Sequence, residues 1–127
     1  MKKLALPIIL IGLTAACIPE NLKNEMDTQV VKAQHMLADQ EFKKAISHIE
    51  LHKLRNGSYP NTLSELQFLT LMDSSIFSRV VYTRLDSGYE LNFNFEVVTL
   101  DGNKSGAQLH YPVEFWEGLG CVKSNVK

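Results

Sequence analysis

With 127 residues, 45% hydrophobic side chains and four prolines, the chain has the size and composition of one globular domain. Its formal net charge of −1 gives no basic footprint, which argues against nucleic-acid binding as its work. Without Lys2 and Lys3, 11 basic side chains face 14 acidic ones, a balance that suits a soluble domain and singles out no partner.

The N-terminus carries the most specific signal. Lys2 and Lys3 precede "LALPIILIGLTAA", an apolar run of 13 residues interrupted by Pro7. A bilayer span takes roughly 20 apolar residues, so this run has the length of a secretory h-region and not of a transmembrane helix. The small residues Thr14, Ala15 and Ala16 then lead to Cys17. "LTAAC" resembles the lipobox of bacterial lipoproteins. That resemblance implies cleavage after residue 16, acylation of Cys17 and a membrane anchor through its lipid. Ile18, standing where an Asp would retain the protein at the inner membrane, implies the outer membrane, facing the periplasm. Acyl chains contribute about 0.8 kcal/mol per buried methylene, so several on one cysteine hold a chain durably. Cys121 is then left without an intrachain partner, and burial or harmless exposure is expected for it.

From Glu20 to Arg55 there is neither glycine nor proline, and Lys, Glu, Gln, Ala, Leu and Met dominate. These are good helix formers. At about 100° per residue, Phe42, Ala45, Ile46 and Ile49 share one face. Leu22, Met26, Val30, Ala33 and Leu37 share another, rotated well away. Either the helix breaks near Ala38-Asp39-Gln40, or its first half is a stalk whose stripe meets something else. The second arrangement is the one expected, with Leu22, Met26, Val30 and Leu37 as partner-binding residues. The organisation that follows is a signal peptide over 1–16, an anchored stalk over 17–37 and an α+β domain over 38–127.

Asn56-Gly57 supplies residues tolerant of the left-handed conformation that ends helices. Pro60 forces Tyr59 into an extended conformation, where it can wedge across the corner. Thr62 and Glu65 have capping-box spacing and predict a second, short helix with Leu63 and Leu66 on its apolar face. "SRVVYTR" reads as a strand and "LDSG" as a turn. "YELNFNFEV" alternates strictly, which predicts a half-buried antiparallel strand with Tyr89, Leu91, Phe93, Phe95 and Val97 inward. "DGNKSG" is another turn. "AQLHYPVEFW" predicts a third strand, at an edge because of Pro112, and Pro112–Trp116 is a second candidate contact surface.

The carriers "AISHIELHKLRNGSYPNTLSEL" and "VVYTRLDSGYELNF" resemble the helix-to-head junction and following hairpin of the pilin and pseudopilin family, over roughly residues 38–97. The resemblance implies a long N-terminal helix packed on a small antiparallel sheet of three to four strands. It also implies work through protein–protein contacts in a type II secretion or type IV pilus-like system. The prepilin leader and polymerising helix of that family are replaced here by the lipobox. Paired C-terminal cysteines and the acidic calcium loop of major pseudopilins are missing.

Other constellations carry little chemistry. His48 and His52 would share a helix face but lack a third ligand in sequence, so a polar flank is expected. Asp101, Asn103 and Ser105 alternate before Gly106 like the start of a calcium loop, a weak metal candidate. The twelfth position is Pro112, not a bidentate Glu, so a polar turn is expected. Glu114 and Glu117 flank Trp116, and a solvated edge is the expectation there. No glycine-rich phosphate loop and no nucleophile elbow occur. The sequence therefore predicts a non-enzymatic docking module without cofactors. A small ligand- or calcium-binding lipoprotein is the alternative.

Overall fold

The computed structural model describes residues 18–68, 76–106 and 109–127, so Cys17 and the segment expected to be a signal peptide lie outside the described residues. Helix α1 runs unbroken over Glu20–Asn56, 37 residues. No break occurs at Ala38–Gln40. Glu20 in the first turn and Lys53 and Arg55 in the last complement the helix dipole. The helix stops at Gly57, whose φ of 80° is left-handed and whose N–H donates to the Lys53 carbonyl at 2.8 Å.

The inner face of α1 buries Ala38, Phe42, Ala45, Ile46 and Ile49, spaced three, four and one residues apart as one helical stripe. Phe42 is its centre, stacked on Tyr111 at 5.4 Å and edge-on to Phe93 at 5.7 Å and Trp116 at 6.0 Å. Truncating a side chain packed this way typically costs about 3–5 kcal/mol.

Beyond α1 the corner is built as the sequence suggests, but the second helix is not. Pro60 is fully buried, and its carbonyl accepts from the Tyr82 hydroxyl at 2.6 Å. Tyr59 lies edge-on to Tyr89 at 5.0 Å. Leu63–Glu65 form a single 3-10 turn. Thr62 makes no cap: its hydroxyl bonds Ser64 Oγ at 2.7 Å, and the Glu65 carboxylate accepts from the Asn61 N–H at 2.8 Å. The capping-box spacing is present, but the backward reach lands one residue early. Leu66 is already extended, with ψ of 136°, so the turn ends there.

A second 3-10 turn, Ile76–Arg79, leads into β1 (Val80–Leu85), which pairs antiparallel with β2 (Gly88–Phe93) through the turn at Asp86-Ser87. Strand β3 (Glu96–Val98) pairs antiparallel with β4 (Lys104–Gly106). A helical turn, α2 (Val113–Trp116), precedes β5 (Cys121–Lys123). The architecture is α+β, with the long helix packed on a three-stranded sheet of order β1-β2-β5 and a separate two-stranded β3-β4 ribbon. The three-stranded sheet is mixed and not antiparallel, because β5 runs parallel to β2 with Tyr89 beside Cys121.

Two further expectations are corrected. The alternating run 89–97 keeps Tyr89, Leu91, Phe93, Phe95 and Val97 buried, yet it is two strands. At Asn94 the backbone N–H still donates to the Arg79 carbonyl, after which the chain leaves β1 and takes β4 as its new partner. Alternation reports which way side chains point and is blind to which strand lies alongside. The predicted strand over 107–116 is also absent across its second half, where Val113–Trp116 are helical after Pro112. Trp116 is buried there, with its Nε1–H directed at the Tyr111 carbonyl at 3.4 Å.

Candidate interaction surface

The inner face of α1 is fixed by the core, so its outer face is fixed too. Leu22, Met26 and Leu37 are exposed by 47%, 42% and 59%, while Val30 is half-buried on the shoulder of the helix. Met36, Leu51 and Leu54 (83% exposed) extend the same outer line to the far end of α1. The sequence reading named Phe42, Ala45, Ile46 and Ile49 as the apolar residues of the second half and left Met36 out of the first-half stripe, so it missed these three. The same 100° projection would have found them. Ile18 is exposed just ahead of the helix. A surface helix normally turns polar residues outward, so an apolar line of this length makes this face the candidate contact surface.

One shoulder of α1 is occupied. Gln34 Nε2 donates to the Val98 carbonyl at 2.8 Å, and Gln34 Oε1 accepts from the Val98 N–H at 2.9 Å. Asp27 Oδ1 accepts from the Leu100 N–H at 2.9 Å, and Lys23 Nζ pairs with Asp101 at 2.8 Å. That hydrogen bond, then the charge of Asp101, holds the Lys23 ammonium above its ordinary range. Positions 23, 27 and 34 form one helical line, so the β3–β4 hairpin lies along the first half of α1. The outer line beside it stays open.

The weak calcium candidate is part of that hairpin. Asp101 is paired with Lys23, the Asn103 carbonyl accepts from the Thr99 N–H at 3.0 Å, and Ser105 sits in β4 opposite Val97. The loop is thus a polar turn braced against the helix. Among the described residues no group of three His, Cys, Asp or Glu side chains is placed to hold a metal. His48 meets the Phe68 ring edge-on at 5.5 Å, and His52 Nδ1 lies 3.0 Å from the Ser58 carbonyl. With Arg55 and Glu65 they line a cleft of about 250 Å³. The Pro112–Trp116 segment offers Val113 to solvent but no strand edge.

The strongest polar centre is structural. Glu50 Oε1 accepts from the Tyr89 hydroxyl at 2.9 Å and the Gly120 N–H at 2.8 Å, and Oε2 accepts from the Tyr59 hydroxyl at 3.1 Å. One carboxylate thereby ties α1 to the corner, to β2 and to the approach to β5. Burial, then the nearby Glu50 carboxylate, drives the Tyr89 hydroxyl far above the usual tyrosine range. Sequence pattern gave no hint of this, since Glu50 reads as one more helix-surface acid. Across the domain Asp39 accepts from the Tyr111 hydroxyl at 2.7 Å and from Lys43 Nζ at 2.9 Å. These carboxylates take their donors from several elements and so tie α1 to the rest of the body.

Helix α1 is not apolar enough to cross a membrane, and no other described helix is long enough. No protein-family model matches the chain, and no curated protein or solved structure gives a significant match to it.

Proposed function

We propose that this chain is a lipid-anchored protein of the bacterial envelope, held by Cys17 in the outer membrane and facing the periplasm, where it works as a protein–protein docking module. Its pilin-like junction and hairpin motifs favour service beside a type II secretion or type IV pilus-like machine. The observation that carries the reading is the exposed apolar line of α1, which begins at Leu22, five residues beyond Cys17, and runs opposite to the core. A rigid body displays a long sticky helix face at a fixed distance from its tether. The bonded state of Glu50 and Asp39 supports a display role over catalysis.

Two measurements test it. Palmitate labelling in cells should mark the chain and disappear with Cys17→Ser, with release from the membrane fraction. Met26→Lys combined with Leu37→Lys should remove the proteins cross-linked to the chain in intact cells without changing its melting. Labelling that persists in Cys17→Ser overturns the anchor. Undiminished cross-linking in the double variant overturns the docking face.

A further inference from the structure

The turn between β3 and β4 carries a motif that closing a hairpin does not use. Asn103-Lys104-Ser105 has the Asn-x-Ser spacing of an acceptor for N-linked glycosylation in exported chains. Asp101 adds the acidic residue, two places before the Asn, that the bacterial form of the pattern includes. We propose that Asn103 is a glycosylation site, its side-chain nitrogen taking an oligosaccharide from a polyprenyl-pyrophosphate carrier. The proposal rests on the reading of the chain as an envelope protein, because that carrier is presented outside the cytoplasm.

The chain holds two such triplets, and the structure separates them. At the other, Asn56-Gly57-Ser58, the Asn56 Nδ2 donates to the His52 carbonyl at 3.0 Å and the Gly57 N–H to the Lys53 carbonyl at 2.8 Å. The Ser58 carbonyl lies 3.0 Å from His52 Nδ1. All three residues are thus held against the last turn of α1, and Leu54 stands where the acid would be. Around Asn103 the opposite holds. Positions 100–105 are all exposed. The Asn103 backbone carbonyl is engaged, accepting from the Thr99 N–H at 3.0 Å. Among the described residues its side-chain amide makes no hydrogen bond, and neither does the Ser105 hydroxyl.

A transferase must lift its acceptor out of the fold, and this hairpin gives way at its tip. Opening it from Gly102, whose φ is 79°, releases the Thr99–Asn103 turn and then the pairing of Val98 with Lys104. Phe95 and Val97, the buried residues of the ribbon, keep their places in the core. Openings of this kind, confined to exposed backbone bonds, lie at the low end of a protein's local stabilities. Asp101 must also leave Lys23. The two side chains are exposed by 49% and 43%, so a cation of the transferase can replace Lys23 at small cost.

The transfer balances without oxidation or reduction. The bond from the sugar's C1 to the pyrophosphate oxygen of the carrier breaks, and a bond from C1 to Asn103 Nδ2 forms. Nδ2 gives up one proton to a base of the transferase, and polyprenyl pyrophosphate departs with the bonding electron pair. The Ser105 hydroxyl, two residues on, is the group by which the transferase recognises the acceptor, and Asp101 supplies the charge. The lipid-linked sugar is the single co-reactant.

Mass spectrometry of the full chain, purified from the cells that make it, decides this. A whole number of sugar units should be found on the peptide containing Asn103 and none on the peptide containing Asn56. The added mass should vanish in Asn103→Gln, Ser105→Ala and Asp101→Ala, and should persist in Ser105→Thr and Asn56→Gln. The three residues at the hairpin are exposed, so unchanged circular dichroism is expected and guards against misfolding. A bare Asn103 in the parent chain, or sugar that survives Asn103→Gln, overturns the site. The same spectra record acylation of Cys17 and so separate the two readings. Acylated Cys17 with bare Asn103 removes the glycosylation site alone, whereas a bare Asn103 beside an unacylated Cys17 removes the anchor as well.

Discussion

Gln34 grips Val98 by both of its backbone groups, donating to the carbonyl at 2.8 Å and accepting from the N–H at 2.9 Å. The side-chain amide thus acts as one residue of a neighbouring strand. Asn125 does the same to Phe93, accepting from its N–H and donating to its carbonyl, both at 2.9 Å. The two grips lie on either side of the point where the chain passes from β2 to β3. Backbone groups that lost a strand partner there are satisfied by amides from α1 and from the C-terminal tail.

Gln34→Ala removes one grip and leaves the Val98 groups to water. The expected cost is about 1 kcal/mol, because Val98 is partly exposed. Hydrogen exchange should accelerate at Val98 and Leu100 well before it changes at Leu91. Equal acceleration across all three would mean that the hairpin is not a separately held unit.

Glu50→Ala should cost about 3 kcal/mol, since a charge-assisted centre with three donors is lost and the buried Tyr89 hydroxyl is orphaned. Tyr89→Phe should cost about 1–2 kcal/mol. Denaturant melts of the two single variants and the double variant should show coupling of about 1 kcal/mol or more. Strict additivity would refute the hub.

Gly120 lies beneath the Tyr59 ring, and a Cβ there would overlap the ring and its hydroxyl. Gly120→Ala should therefore destabilise the fold by about 1–3 kcal/mol through forced displacement of Tyr59. In a Tyr59→Ala background the same substitution should be nearly neutral, as measured by urea midpoints. An equal cost in both backgrounds would remove Tyr59 as the cause.

Stability should fall at alkaline pH. Burial, helped at Tyr59 by Glu50, pushes the Tyr59 and Tyr82 hydroxyls up to about 12, with Arg84 partly opposing at Tyr82. Folded values above the unfolded value of about 10 mean that the native state holds protons the unfolded chain releases. The contribution is complete below pH 10 and is lost between about pH 10 and 12. Tyrosinate absorbance should rise together with loss of circular dichroism, and earlier ionisation without unfolding would contradict it. Asp39 acts at the other end. Burial works against its charged form, but the Tyr111 and Lys43 hydrogen bonds outweigh it and lower its pKa. Its contribution is therefore lost as acid protonates it.

Cys121 should behave as a core residue. Burial pushes its thiol up to about 11, and the sulfur donates to the Lys123 carbonyl at 3.3 Å. At pH 8 its reaction with an aromatic disulfide reagent should be slow and should track unfolding by urea. Prompt reaction in the native state would place it at the surface.

The sequence by itself determined whatever depends on local pattern. A glycine-free run gave the helix, Asn56-Gly57 ended it, and alternation oriented Tyr89 through Val97 inward. The rotation between the two apolar sets of α1 already implied that an unbroken helix could not turn Leu22, Met26 and Leu37 to the core as well. Only the tertiary structure decided the partners. It split the alternating run between two sheets, laid β5 parallel to β2, turned Val113–Trp116 into a helix and gathered three donors onto Glu50. The reason is that periodicity encodes the direction of a side chain, set by its own φ and ψ. Pairing and hydrogen-bond partnership instead depend on residues 70 or more positions away, as with Gly120 and Glu50 or Leu100 and Asp27, which no local pattern contains.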